Sequence, residues 1–318
     1  MTDGANLERE FSAYALEQAH PLVRAWRGEQ LAGDLAKSTA DDLRLMHDRE
    51  AARHFADAMG LNLPVDEYLA RLVTINGHRF LARIDFQSPG DRDGFVDIFR
   101  ASTSPSTLAD VTVFQRLAEA FSAFSPRKIS FYHPAHLQLR AASAVIEQHF
   151  LAAPANAMVS RPPAPGHSRV KLTRRADLDF YPHYVATYRE MYAERPHLEG
   201  IVRIESRKSL EACAKQGLLF EIAVDGRMAG IVAAMRQTIA NLRGVYMVEI
   251  VLDRSARGQA LGSAVHQHFA TAVAATAPDA VITGKIAREN VPSWRTATRA
   301  GRIEIGAWYR LDLATQTP

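Results

Sequence analysis

The sequence predicts an α/β fold on an open mixed sheet, arranged in two halves, and three observations predict it. Segments of strand-like alternation interleave with segments of helical spacing in both halves of the chain. VYMVEIVL, residues 245–252, is nearly all β-forming and reads as a central strand. RPPAPGHS, residues 161–168, carries three prolines and a glycine, so it sustains neither a helix nor a central strand and reads as a linker.

Taken in order, residues 5–75 carry helical spacing, and Leu43, Met46, Ala51, His54, Phe55 and Met59 could line one helix face. HRFLARIDF (78–86) and GFVDIFRA (94–101) alternate around the turn formers SPGDRDG and predict a hairpin. A helix is expected around 110–124, KISFYH (128–133) as a strand, a helix around 136–152, and NAMVSR (156–161) as a short strand. After the linker, VKLT (170–173) is a strand, followed by helices around 177–193 and 206–216. LLFEIAVDGRMAGIVAAMR is a hairpin turning at Asp225–Gly226. The strand 245–252 leads to a helix over 259–276, a strand AVITGKI (280–286), a short helix near 291–299 and a last strand, RIEIGAWYRLDL (302–313).

Composition narrows the function classes. The chain has 318 residues, 47% of them hydrophobic and 23% charged, which fits two globular domains. No apolar run is long enough to span a bilayer, and the acidic, polar start lacks the pattern of a secretory signal. The single cysteine, Cys213, excludes an intrachain disulfide and suits a reducing compartment, so a cytoplasmic protein without membrane association is expected. Its reading is a small buried residue on a helix. The formal charge of +3 comes from 38 basic against 35 acidic residues that are interspersed, so no nucleic-acid groove is announced. His266 and His268 lie two apart on a helix and face different sides; no metal site is indicated.

The informative stretch is EIVLDRSARGQALGSAVHQHF, residues 249–269. A buried strand ends near Leu252, and RGQALG (257–262) opens an amphipathic helix. The first backbone N–H groups of a helix lack intrahelical partners and carry partial positive charge. Gly258 and Gly262 leave room for a diphosphate to approach the main chain, and Arg257 adds a full charge. The same pattern also serves a plain strand-to-helix turn. There is no G-x-G-x-x-G and no P-loop.

This segment resembles the signature loop of the GNAT superfamily of acyl-CoA-dependent N-acyltransferases, [RQ]-x-x-G-x-[GA], with Ala260 where a middle glycine is usual. A second motif of that family, an asparagine opening a short helix followed by a glycine before the final strand, is matched by ENVPSWRTATRAGR, with Asn290 and Gly301. The resemblance covers 169–318 at the level of fold, with its specific motifs within 245–313. It implies a GNAT-like acyltransferase domain over 169–318 that uses acetyl-CoA, or another acyl-CoA, as co-substrate. Val251 and Leu252 would pair with the pantetheine arm through their backbone. The N–H groups of Arg257, Gly258, Gln259, Ala260, Leu261, Gly262 and Ser263 would wrap the pyrophosphate. Asn290 and Ser293 would touch the pantetheine or adenosine end. In that family the amine attacks the thioester directly. The tyrosine often found seven residues after the asparagine is Ala297 here, which leaves Tyr246 or a water as proton donor.

Glu249 is the only charged residue within 245–252. A carboxylate in a buried strand is either a base whose pKa burial has raised or a structural group bonded to an Arg or Tyr of a neighbouring element. Residues 180–208 hold four tyrosines, two histidines and several arginines; they form either a substrate wall, with Arg195, Arg203 and Arg207 toward an anion, or a solvated helix and loop. The order of elements over 78–160 is similar to that of the second half, so 1–160 is expected to be a helical extension plus a degenerate GNAT-like copy. Its TSPSTLADVTVF lacks the glycine loop. The expected function is acyl, in particular acetyl, transfer to a primary amine of a small molecule. Alternatives are a protein or aminoacyl-tRNA amine as acceptor, or acyl-CoA binding without turnover.

Overall fold

Residues 5–75, expected to be helical, form four helices in the computed structural model, which describes residues 2–87, 91–103, 111–139 and 143–313. These are α1 (Thr2–Gln18), α2 (Pro21–Arg27), α3 (Gln30–Arg44) and α4 (Arg49–Met59). The single face expected from Leu43 to Met59 is broken, because Asp48 accepts the Ala51 N–H at 2.9 Å and starts a new helix. Leu43 and Met46 therefore pack with Leu7 and Phe11, while Phe55 and Met59 pack with Phe80 and Phe114.

Two compact units make up the chain: Met1–Glu147 with Ala240–Leu242 and Gly306–Pro318, and Gln148–Ile239 with Arg243–Ile305. In the first, β1 (Arg71–Ile75), β2 (His78–Asp85), β3 (Phe95–Ala101) and β4 (Lys128–Pro134) lie side by side, followed by the end of β11 (Ile303–Asp312). β1 was not expected, although the Asn76–Gly77 dipeptide that turns it into β2, with φ of 51° and 81°, was a hairpin signal. α5 (Val111–Glu119) carries the chain from β3 to the parallel β4. Most of TSPSTLADVTVF, residues 104–110, lies outside the described residues.

The second unit contains β5 (Val145–Pro154), α6 (Ala155–Val159), β6 (Val170–Arg174), α7 (Tyr181–Glu194), α8 (Arg207–Lys215), β7 (Leu219–Val224) and β8 (Arg227–Ile239). It continues through β9 (Leu242–Leu252), α9 (Gly262–Ala274), β10 (Val281–Ala287) and α10 (Val291–Arg299). Its strands run β5–β10–β9–β8–β7–β6. Two expectations are reversed here. Of the helix expected over 136–152, residues 145–152 are strand β5 and 140–142 lie outside the described residues, and the strand expected at 156–161 is for the most part helix α6. Short apolar runs are ambiguous by periodicity alone, and pairing with β10, from Val281↔Pro154 to Ala287↔Gln148, decides the first.

The β1–β2–β3–β4–β11 order of the first unit is repeated by β7–β8–β9–β10–β5 in the second, with a parallel pair and then an antiparallel one at the same places. The chain is thus an internal repeat in which each copy's last strand completes the other. β5 follows the first copy but pairs with β10, and β11 follows the second but pairs with β4 from Gly306↔Pro134 to Asp312↔Lys128. Packing therefore divides the chain at 147/148 and 305/306 rather than at 161–168. The proline-rich segment belongs to the second unit, where Gln267 of α9 accepts the Ala164 N–H at 2.7 Å and donates to the Pro162 carbonyl at 2.9 Å.

Candidate active site

β9 and β10 are parallel neighbours registered at Val245↔Ile282 and Tyr246↔Thr283 and no further, although β9 runs on to Leu252 and β10 to Ala287. Past that point the strands part. Alternation along β9 is also broken: Val245, Met247, Ile250 and Leu252 pack in the core of α9, whereas Val248 and Val251 pack with α7. One extra residue between 247 and 250 therefore falls on the α7 side, as a bulge would produce.

The loop from β9 to α9 presents a row of backbone N–H groups. None of the backbone N–H groups from Gly258 to Ala264 meets an acceptor among the described residues, and α9 has no side-chain cap. Gly258 supplies φ of 75° in open space, and Gly262 lets α9 close on α10, since a Cβ there would lie 2.6 Å from Thr296 Cγ2. Ala260, at the usual glycine position, adopts φ of 58° and carries the strain. A depression of about 350 Å³ opens beside this turn, walled by Arg161, Pro162, Ala260, Ser263, Gln267 and Arg299.

Arg257 does not join this cradle. Its N–H is taken by the Asp253 and Arg254 carbonyls. Its guanidinium turns back to the Leu252 carbonyl (2.7 Å), Glu194 (3.1 Å) and the Thr187 carbonyl (3.0 Å). With Thr187 bonded to Asp253 at 2.9 Å, the loop is bolted to α7 before any ligand arrives. Of the two residues expected to pair with pantetheine through their backbone, Leu252 has its carbonyl taken by Arg257, and the Val251 carbonyl lies against Gly230 of β8. Gln259 donates to the Ser255 carbonyl at 2.5 Å and accepts from Arg169 at 2.9 Å. Leu261 is buried, and Ser263 donates to the Thr296 carbonyl at 3.3 Å. Asn290 caps α10 by accepting the Ser293 N–H at 3.4 Å, and its amide nitrogen meets no acceptor among the described residues.

Glu249 is 6% exposed, and both Tyr184 (2.5 Å) and Tyr188 (2.7 Å) of α7 donate to its Oε2. Burial pushes its carboxyl up to about 7, against the pull of those hydroxyls and with Glu205 adding to the rise. The tyrosines share one stripe of α7: Tyr181 donates to the Glu205 carbonyl, Tyr192 to the Val202 carbonyl, and Tyr184 accepts the Glu205 N–H. The stripe expected as a wall or a solvated face is thus turned inward and holds the chain that follows. Arg203 is exposed, Arg195 is partly buried, and Arg207 lies 4.8 Å over the Tyr181 ring.

Tyr246 stands at the point of divergence. Burial pushes its phenol up to about 12; Glu205 adds to this, while Arg302 and the Lys285 backbone oppose it. Arg302 is 3% exposed, bonded to the Leu151 carbonyl at 3.2 Å and the Met247 sulfur at 3.2 Å, with its Nε unpartnered. Gly284 makes room for it, as a Cβ there would meet its guanidinium. Burial pulls Arg302 down to about 10 and the neighbouring His266 down to about 3. Cys213 is buried with its thiol pushed up to about 11, and Ala297 is buried in α10. His268 contacts the His167 carbonyl at 2.9 Å and stacks on that ring. No helix among the described residues is long and apolar enough to cross a membrane, and none of their His, Cys, Asp and Glu side chains group to hold a metal.

Sequence reasoning did not single out Arg302 or Glu205, and it left a Tyr partner for Glu249 open without saying which; Tyr184 and Tyr188 of α7 fill that place. The tyrosine pair had a signal, spacing of four on a helix packed against a strand with one lone acid. Arg302 and Glu205 had none.

Fold and site together define an α/β protein with a cradle of backbone N–H groups at a strand-to-helix crossover. In fold the chain is similar to a GCN5-related N-acetyltransferase from Sphaerobacter thermophilus, at 13% identity over 86% of this chain and 93% of that one, with a TM-score of 0.49. It is also similar to a GNAT-family acetyltransferase from Colwellia psychrerythraea (11% identity, 86% and 97% covered, TM-score 0.48). A third is a tandem GNAT protein from the clavulanic acid biosynthesis pathway (12% identity, 85% and 97% covered, TM-score 0.46). No family model and no curated protein matches the chain.

Proposed function

We propose that the protein is an acyl-CoA-dependent N-acyltransferase, with acetyl-CoA as co-substrate and a primary amine of a small molecule as acceptor. The observation that carries this reading is the unbroken row of unpaired N–H groups from Gly258 to Ala264, beside the opening between β9 and β10. Such a row favours a diphosphate, and an adjoining gap between strands suits an extended thioester arm. The RGQALG and ENVPSWRTATRAGR motifs support the same assignment. The Asn290 amide nitrogen is free to meet the arm of the cofactor, while Ser263 and Ser293 contribute through the first turns of α9 and α10.

In the reaction the amine attacks the acyl carbon. The C–N bond forms, the C–S bond breaks with its electron pair leaving on sulfur, the nitrogen gives up a proton and the thiolate takes one. Tyr246, protonated at neutral pH, is the donor to sulfur. Glu249 is enclosed by donors, so it acts as a positioning residue through Tyr184 and Tyr188. A second reading, acyl-CoA binding without turnover, is favoured by Ala297, buried where the family often carries a tyrosine. Calorimetry with acetyl-CoA, followed by thiol release over a panel of amines, tests both readings. Binding with thiol release supports transfer, binding without release supports the second reading, and absence of binding contradicts both.

A further inference from the structure

Among the groups around the β9–β10 opening, Glu205 is the acid left without a partner. It ends the connection from α7 to α8, where Ser206 caps α8 by accepting the Ser209 N–H. Its backbone is fixed on both sides: Tyr181 donates to its carbonyl at 3.1 Å, and its N–H donates to the Tyr184 hydroxyl at 2.7 Å. Its carboxylate has no hydrogen-bond or ion-pair partner among the described residues and is only partly buried. Hydrogen bonds place the residue beside Tyr181 and Tyr184 of α7, and through the Tyr184 hydroxyl beside Glu249 of β9; its charge adds to the upward shifts of Tyr184, Cys213, Tyr246 and Glu249. A carboxylate held by its backbone, open to water and left unpaired beside two tyrosines is placed to receive a cation from outside. Glu249 is not placed for this, because the residue is 6% exposed and its Oε2 already accepts two hydroxyls.

We infer that Glu205 is the specificity-determining residue that receives the acceptor substrate, and that this substrate is an amine carrying positive charge at neutral pH. The inference rests on the acyltransferase reading above. The ammonium docks on the Glu205 carboxylate and faces Tyr246. Before the nitrogen lone pair can attack, the docked ammonium must give one proton to water. A neutral aromatic amine brings no charge for Glu205 to hold.

The test uses the full chain, acetyl-CoA, and a panel of ethanolamine, cadaverine, spermidine and tyramine against aniline. Glu205→Gln should leave the acetyl-CoA affinity unchanged and should not lower the melting temperature, because the carboxylate bonds nothing in the fold and its charge only opposes that of Glu249. It should raise KM for the cationic amines at least tenfold while leaving kcat/KM for aniline unaltered, and Glu205→Asp should recover part of the loss. Acetyl-CoA binding and turnover with the same KM in wild type and Glu205→Gln would overturn this inference alone. Acetyl-CoA binding with no thiol release from any cationic amine would overturn it as well. No acetyl-CoA binding would overturn the acyltransferase reading and this inference with it.

Discussion

At the scale of single residues, Ala260 and Glu249 depart from their ordinary conformation or chemistry. Ala260 holds φ of 58°, a region that costs an L-residue more than it costs glycine. Ala260→Gly is therefore expected to stabilise the chain by about 0.5–1 kcal/mol, read as a higher urea midpoint at unchanged slope. Glu249 gives a pH signature. Burial pushes its carboxyl up to about 7 in the folded chain from an ordinary value of 4.5, so between those values the folded state binds the extra proton. Its contribution to stability is present below the unfolded pKa and is lost as pH rises through about 7, a few kcal/mol in all. Between pH 5 and pH 8 the wild-type urea midpoint should fall further than that of Glu249→Gln. Parallel curves would mean that the carboxyl titrates normally. If Glu249 itself took the amine proton, Glu249→Gln would lower kcat/KM by about 10²–10⁴-fold. As a positioning residue it should cost less and should spare acetyl-CoA affinity.

At the scale of elements, the strand–turn–helix from β9 to α9 was legible from the sequence, because a pure β-former run, a glycine turn and a helical pattern point the same way. What the loop's side chains do was not legible. Arg257 looked like charge for a ligand and is instead a brace to Glu194 and Thr187, a pairing set by the tertiary packing of α7. β5 and α6 were misread because short apolar runs carry no decisive period, and their partners lie far off in the chain. The cradle can be probed without disturbing the brace or the Gly262–Thr296 contact. Ala260 is exposed, and aspartate tolerates its positive φ. Ala260→Asp should set a carboxylate among the free N–H groups and weaken acetyl-CoA binding at least tenfold at unchanged melting temperature. Equal affinity would remove this loop from the cofactor site.

At the scale of the whole molecule, the exchange of last strands has consequences that a linker at 161–168 would not. A fragment 169–318 lacks β5, so β10 would lose the partner it holds over Val281–Ala287. Such a bare edge invites association. The fragment should elute as aggregate and show no cooperative melt, whereas the full chain melts cooperatively; a monodisperse, cooperatively folded fragment would contradict the exchanged pairing. The repeat was legible only as far as β2, β3, α5 and β4, because the helix and strand expected next are β5 and α6, and its exchange was not legible, since nothing in β5 or β11 records which copy it joins. The central claim is that the Gly258–Ala264 turn holds the diphosphate of an acyl-CoA. Isothermal titration of acetyl-CoA into the full chain tests it most directly. Saturable binding of one molecule per chain is expected, abolished or weakened at least tenfold by Ala260→Asp, whereas no binding, two molecules per chain, or an affinity indifferent to Ala260→Asp would remove the turn from the cofactor site.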